Sequence, residues 1–228
     1  MQSGESVVND HGIREIVEII LNVIILVLVG VGSVKTFFNN DNNSALLSIG
    51  LSNLKYFTVL SNIYCGIIAA VRICFYFLNK KMPMNLKISA AASVGLTFLT
   101  IAAFFAPLYP NHNLYQGANL YFHLIVPLIA MLEFVILRTE EKIPFRYTLV
   151  SAAFSIIYGM VYLLNNLING VGQWPDSNDW YGFLNWEYPV GIVIFAVIVL
   201  LNWLIAVILR FLNHILNKPK KNETNHFG

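Results

Sequence analysis

Two short stretches hold the residue types that nucleophilic catalysis uses. The run Lys55-Tyr56-Phe57-Thr58-Val59-Leu60-Ser61-Asn62 places Thr58, Ser61 and Asn62 at i, i+3 and i+4. A helix there carries them as one polar stripe. The run Asn119-Leu120-Tyr121-Phe122-His123 puts Asn119 four residues before His123, on one helical face. A hydroxyl nucleophile needs a base to take its proton, and a histidine from a neighbouring helix can supply it. Thr58 and His123 are therefore the candidate dyad. Asn62, Ser61 and Asn119 are the candidate oxyanion donors or supports, and Asn119 can also fix the imidazole tautomer. Each of these residues has a plain structural alternative. Thr and Ser hydroxyls bond the carbonyls of their own helix, and a lone membrane histidine often bonds a neighbouring helix. Pro127 has no N–H for the carbonyl of His123, so the helix should kink there and leave that carbonyl open.

Charge inside an apolar segment is costly unless it is paired or wetted. Arg72 and Glu133 lie at matching depths near one end of their segments, which predicts an ion pair. The pair reads as a clasp between helices, or as the polar foot of a ligand cavity. Glu133 cannot be the acid of a triad, because ten helical residues put it about 15 Å from His123. Lys55 stands three residues before Thr58 at the segment boundary. It can steer a carboxylate, or simply snorkel to the interface. Asn22, Asn165, Asn166 and Asn202 are expected to bond between helices. His112 and His214 are assigned no role.

These residues must be positioned by helices in a bilayer. Of 228 residues, 14 are Lys or Arg and 12 are Asp or Glu, so 11% are charged, against about 25% in soluble domains. Hydrophobic residues make up 57% and mean hydropathy is +0.65. Six apolar stretches, near 16–38, 56–78, 88–108, 118–137, 147–168 and 188–212, are each long enough to cross about 30 Å of hydrocarbon. None alternates with period two, so all six read as helices. The expectation is an all-α polytopic membrane domain over 1–216, followed by a polar tail at 217–228. Arg14, Lys80, Lys81, Lys87, Arg138, Lys142, Arg146, Lys218, Lys220 and Lys221 fall on one side. Lys35 and Lys55 fall on the other, so both termini are expected in the cytoplasm. Acidic residues, not basic ones, precede the first stretch, which favours a retained helix over a cleaved signal. Loop 169–187, with Trp174, Trp180, Tyr181, Trp186 and Tyr188, suits an interfacial aromatic belt.

Several classes fall away. A net charge of +2 implies no nucleic-acid partner. Cys65 and Cys74 are too far apart on one helix to bridge. No metal-spaced cluster, Gly-rich phosphate loop or internal repeat stands out, and no cofactor is expected. Two glycosylation sequons, at Asn42 and Asn222, read as chance.

The chain resembles the androgen-induced and androgen-dependent TFPI-regulating protein family, most closely its bacterial six-helix branch. Three segments carry the likeness. Lys-Tyr-Phe-Thr-Val-Leu-Ser-Asn (55–62) resembles the family's Phe-Thr-x-x-(Ser/Thr)-Asn opening of helix 2. His-Leu-Ile-Val-Pro (123–127), with Glu133 beyond it, resembles its His-x-x-x-Pro helix. Tyr-Gly-Phe-Leu-Asn (181–185) resembles the Tyr-Pro-Phe-Leu-Asp of its last outer loop. Animal members are intramembrane threonine hydrolases acting on fatty acid esters of hydroxy fatty acids. The resemblance implies that Thr58 is the nucleophile and His123 the base. Gly182 and Asn185 depart from the family pattern, and loss of the acidic residue at 185 bears on rate or substrate choice.

The resulting expectation is a multi-pass hydrolase, in the cell membrane if the chain is bacterial, whose partners are a lipid ester and membrane lipids. Oligomeric state is left open. The rival expectation is a small transporter or lipid-binding scaffold, with Arg72–Glu133 as a structural pair. A relative that has lost activity is a third.

Overall fold

A computed structural model describes residues 2–38, 50–111, 113–136, 142–173, 177–184 and 187–217, with side chains from residue 12 onward. Asn185, His112, the stretch around Asn42 and the tail beyond 217 lie outside the described residues.

The apolar runs fold as six helices long enough to cross a membrane. They are α1 (Gln2–Phe38), α2 (Phe57–Phe77), α3 (Met84–Leu108), α4 (Ala118–Ile136), α5 (Arg146–Asn169) and α6 (Glu187–Leu216). A short 3₁₀ turn, Gly50–Lys55, leads into α2. The chain is an all-α polytopic membrane protein. One end of the bundle gathers the basic connections at 78–83 and 142–145. The other gathers the 3₁₀ turn and the aromatic segment at 177–184.

α3 is the central helix and packs against α2, α4, α5 and α6. In its most apolar window 61% of residues are buried, against 22% in α6. Small side chains explain the position. Ser89, Ala90, Ala91, Ala92, Ser93 and Gly95 let neighbouring backbones approach closely, which is how helices associate when lipid is the solvent. The large aliphatic residues of α1, α5 and α6 point outward instead, as a lipid-facing surface requires.

Asparagine side chains tie the helices. Asn202 on α6 donates to the Ser151 carbonyl and to Ser155 Oγ on α5, and Asn213 donates to the Phe134 carbonyl on α4. Asn22 on α1 donates to Glu133 on α4. Asn166 reaches its own-turn Tyr162 carbonyl and the Asn178 carbonyl of the 177–184 segment. Asn165 departs from expectation, since it accepts from Asn169 on the same exposed helix face.

The Arg72–Glu133 ion pair does not form directly. The Arg72 fork grips Glu18 of α1, Nε to Oε1 at 2.6 Å and Nη2 to Oε2 at 3.0 Å. Glu133 pairs with Lys87 of α3, and Lys87 also reaches Glu18 at 3.0 Å. Two cations and two carboxylates therefore form a neutral buried quartet across four helices. Glu18 and Lys87, at segment ends in the sequence, turn inward; Lys87 is only 4% exposed. Pairing removes the reason for either to reach water.

Candidate active site

The opening of α2 sets the first half of the site. Tyr56 is the N-cap and supplies no side-chain cap, so the first N–H groups of α2 need other partners. The Phe57 N–H donates to the Tyr181 hydroxyl at 2.8 Å. The N–H groups of Val59 and Leu60 donate to the Tyr56 carbonyl. Among the described residues the Thr58 N–H has no hydrogen-bond partner. Thr58 thus carries its half-buried hydroxyl and an open backbone donor on the first turn, where the helix dipole is positive.

The polar stripe forms as its spacing predicts, and its side chains are largely committed. Ser61 Oγ bonds the Thr58 carbonyl at 3.1 Å and Thr97 Oγ1 of α3 at 3.0 Å. Asn62 donates one amide hydrogen to the Thr58 carbonyl at 2.8 Å and the other to the Phe122 carbonyl of α4 at 3.0 Å. Both donors of Asn62 are in use, which argues against it as an oxyanion donor. The single Ser61 proton is likewise engaged.

The second half of the site is a π turn. Tyr121–Ile125 widens to π geometry, and the Val126 N–H donates to the Tyr121 carbonyl five residues back. The next N–H in that register would serve Phe122, but position 127 is proline. Pro127 therefore leaves the Phe122 carbonyl open in this register, and Asn62 fills it. α3 has the same construction. A π turn at Ile101–Phe105 precedes Ala106-Pro107. Single π turns of this kind recur at functional sites.

His123 is 3% exposed. Its Nδ1 lies 2.6 Å from the Leu114 carbonyl. A carbonyl only accepts, so Nδ1 carries the proton, and the neutral ring keeps its lone pair on Nε2. Asn119 is not what fixes the tautomer; Leu114 is. Asn119 is buried, and its Oδ1 has no partner among the described residues. Leu114 belongs to the connection at 109–117, whose return to the bundle left no mark in the periodicity.

The site has a cover. Trp180 and Tyr181 pack on Tyr56, Val59 and Phe122. Asp179 holds this segment in place: its Oδ1 accepts from the Tyr162 hydroxyl and the Phe183 N–H, and its Oδ2 accepts from the Leu184 N–H at 2.8 Å. Burial pushes the Tyr181 phenol up to about 12, so it remains a neutral hydroxyl facing the Phe57 N–H. Lys55 rests its ammonium over the rings of Tyr56 and Trp180, at 5.4 and 5.9 Å. That is interfacial anchoring through cation–π contacts.

Thr58 and His123 lie at the same end of adjacent helices, joined through Asn62. Their side chains are not hydrogen-bonded to each other. No protein-family model, no curated protein and no solved structure matches the chain.

Proposed function

We propose that the chain is an intramembrane lipid-ester hydrolase, with Thr58 as nucleophile and His123 as base, akin to the androgen-induced threonine hydrolases. One observation carries the reading. The π turn at His123 is pinned to the Thr58 stripe by Asn62, while Leu114 holds the imidazole in the tautomer whose Nε2 accepts a proton. Catalytic hydrogen bonds are often long or absent without substrate, so the missing Thr58–His123 bond is compatible with it.

In the proposed reaction, Thr58 Oγ1 attacks the ester carbonyl carbon and its proton passes to His123 Nε2. The tetrahedral oxyanion takes hydrogen bonds from the open Thr58 N–H at the start of α2 and from the Asn119 amide. The C–O bond then breaks, and the imidazolium returns the proton to the departing alkoxide as the alcohol leaves. Water, deprotonated by His123, attacks the acyl-threonine. The acid departs and Thr58 recovers its proton. The acyl chain lies among the apolar helices, and the Trp180–Tyr181 segment limits water.

The test is labelling by a long-chain fluorophosphonate, together with turnover of a fluorogenic acyl ester. Thr58→Ala and His123→Ala should both lose labelling while the purified protein remains monodisperse. Undiminished labelling in either variant overturns the dyad. Ligand-dependent flux in liposomes without ester turnover would replace the reading with a transporter.

A further inference from the structure

Arg210 is half-buried on α6, near the end of the helix. The buried cations Arg72 and Lys87 each meet a carboxylate. Arg210 does not. Among the described residues its contacts are a backbone carbonyl and an aromatic ring, with no acid. A charge partly withdrawn from water without a counter-ion is costly, so this one calls for an anion.

The guanidinium is held in a fixed attitude. Its Nε donates to the Ile143 carbonyl at 2.7 Å, and its Cζ lies 5.7 Å from the centre of the Phe145 ring. His214, one turn further along α6, reaches the same carbonyl at 3.4 Å. Both lone pairs of that oxygen are therefore faced by side-chain nitrogens. The remaining donors of Arg210, on its two Nη atoms, have no acceptor among the described residues. They form the planar fork that matches two oxygens of one phosphate.

The level is that of lipid headgroups. Ile143 and Phe145 immediately precede α5, whose 24 residues extend about 36 Å, slightly more than about 30 Å of hydrocarbon. The start of α5 therefore lies at the membrane boundary, at the basic end of the bundle. The adjoining surface is apolar. Phe145 is 50% exposed, and Leu149, one turn into α5, is 58% exposed. Trp203 packs edge-on to Phe145 at 6.3 Å and commits its indole N–H to Thr148 Oγ1, so it offers only ring surface.

We propose that Arg210, seated on Phe145, binds the phosphate of an anionic phospholipid in the leaflet at the basic end, with the lipid's chains against Phe145, Leu149 and Trp203. A zwitterionic phospholipid carries its own ammonium group beside the phosphate, so it neutralises Arg210 less fully and binds more weakly. A soluble phosphate ester lacks the chains. Glu140 and Glu141 lie outside the described residues; were either the counter-ion of Arg210, an anionic lipid would give no saturable binding here.

The full chain, purified in neutral maltoside detergent, is titrated with dioctanoyl phosphatidylglycerol, dioctanoyl phosphatidylcholine and glycerol 3-phosphate. Binding is read as a saturable rise in Tm. Phosphatidylglycerol should half-saturate at a concentration about tenfold below that of phosphatidylcholine. Glycerol 3-phosphate should give no saturable rise. R210K keeps the charge and loses the fork, whereas F145L keeps Arg210 and loses its ring. Each should raise the half-saturation concentration for phosphatidylglycerol by about fivefold. Phe145 is exposed, so F145L should fold whether or not R210K does. Arg146 is an exposed neighbour that rests over Tyr147 instead. R146Q should therefore stay within about twofold of the parent, as a screened surface charge does. No saturable shift with phosphatidylglycerol, an equal response to phosphatidylcholine, or saturation by glycerol 3-phosphate overturns the proposal. So does an unchanged half-saturation in F145L or in folded R210K, or a loss in R146Q as large as theirs.

Discussion

Asn62 on α2 donates a side-chain hydrogen to the backbone carbonyl of Phe122 on α4, across 3.0 Å. The carbonyl is open because the helix runs in π register and meets Pro127. A proline on one helix is thus answered by an amide on another, and His123 is the next residue.

Asn62→Leu should remove this bond and leave the Phe122 carbonyl buried without a donor. The expected loss is about 1–3 kcal/mol in stability, read as a lower midpoint of thermal unfolding in detergent. Fluorophosphonate labelling should fall with it. A variant as stable as the parent would show that the bond contributes nothing.

Pro127→Ala restores an N–H and lets α4 tighten to α spacing, which turns His123 away from its present direction. Stability should hold or rise, since a helix-interior proline is unfavourable. On the proposed hydrolase reading, ester turnover should fall by about a hundredfold, the scale expected when a reacting group moves by about 1 Å. Full turnover in Pro127→Ala would separate the π turn from catalysis.

The quartet is tested by comparing pairs. Arg72→Gln and Glu18→Gln should each be strongly destabilising, by about 3–5 kcal/mol, because each strands a buried partner. Combined, they should cost clearly less than their sum. Arg72→Gln with Glu133→Gln should come closer to additivity, since those residues meet only through Glu18 and Lys87. Stronger coupling in the second pair would restore the direct contact that the structure replaces.

Tyr181→Phe removes the hydroxyl that takes the Phe57 N–H. The fold should survive, with a cost of about 1 kcal/mol. Hydrogen exchange at the Phe57 amide and across 177–184 should speed up, loosening the cover over Thr58. Unchanged exchange would mean that the other bonds of that segment, those of Asp179, Asn178 and Trp180, hold it without the Tyr181 hydroxyl.

Helix positions were legible because a run of apolar residues has few other uses. The span expected at 118–137 is Ala118–Ile136, and the one expected at 147–168 is Arg146–Asn169. The stripe of Thr58, Ser61 and Asn62 was legible for the same reason, since helical spacing alone aligns it. Partner choice was not legible. Depth put Arg72 with Glu133, but depth is one coordinate and side-chain direction is another. Lys87 looked like an interfacial cation because a lysine at a segment end can snorkel outward or fold inward, and hydropathy reads the same either way. The Leu114 carbonyl was invisible because every residue has a carbonyl and only the fold decides which one reaches an imidazole. Asp179 carried a usable signal, an acid inside an aromatic outer loop. Its three hydrogen bonds show that it organises that loop.

The quartet also has a consequence for how the protein is made. Glu18 is a buried acid of the first helix, and its two buried counter-ions, Arg72 and Lys87, sit on the second and third. During synthesis α1 leaves the ribosome before either exists, so it carries an uncompensated carboxylate near one membrane face. Glu133 closes the set only when α4 follows. The first four helices are therefore coupled during biogenesis, and a nascent chain stopped before α3 should hold α1 in the bilayer less firmly than one that includes Lys87.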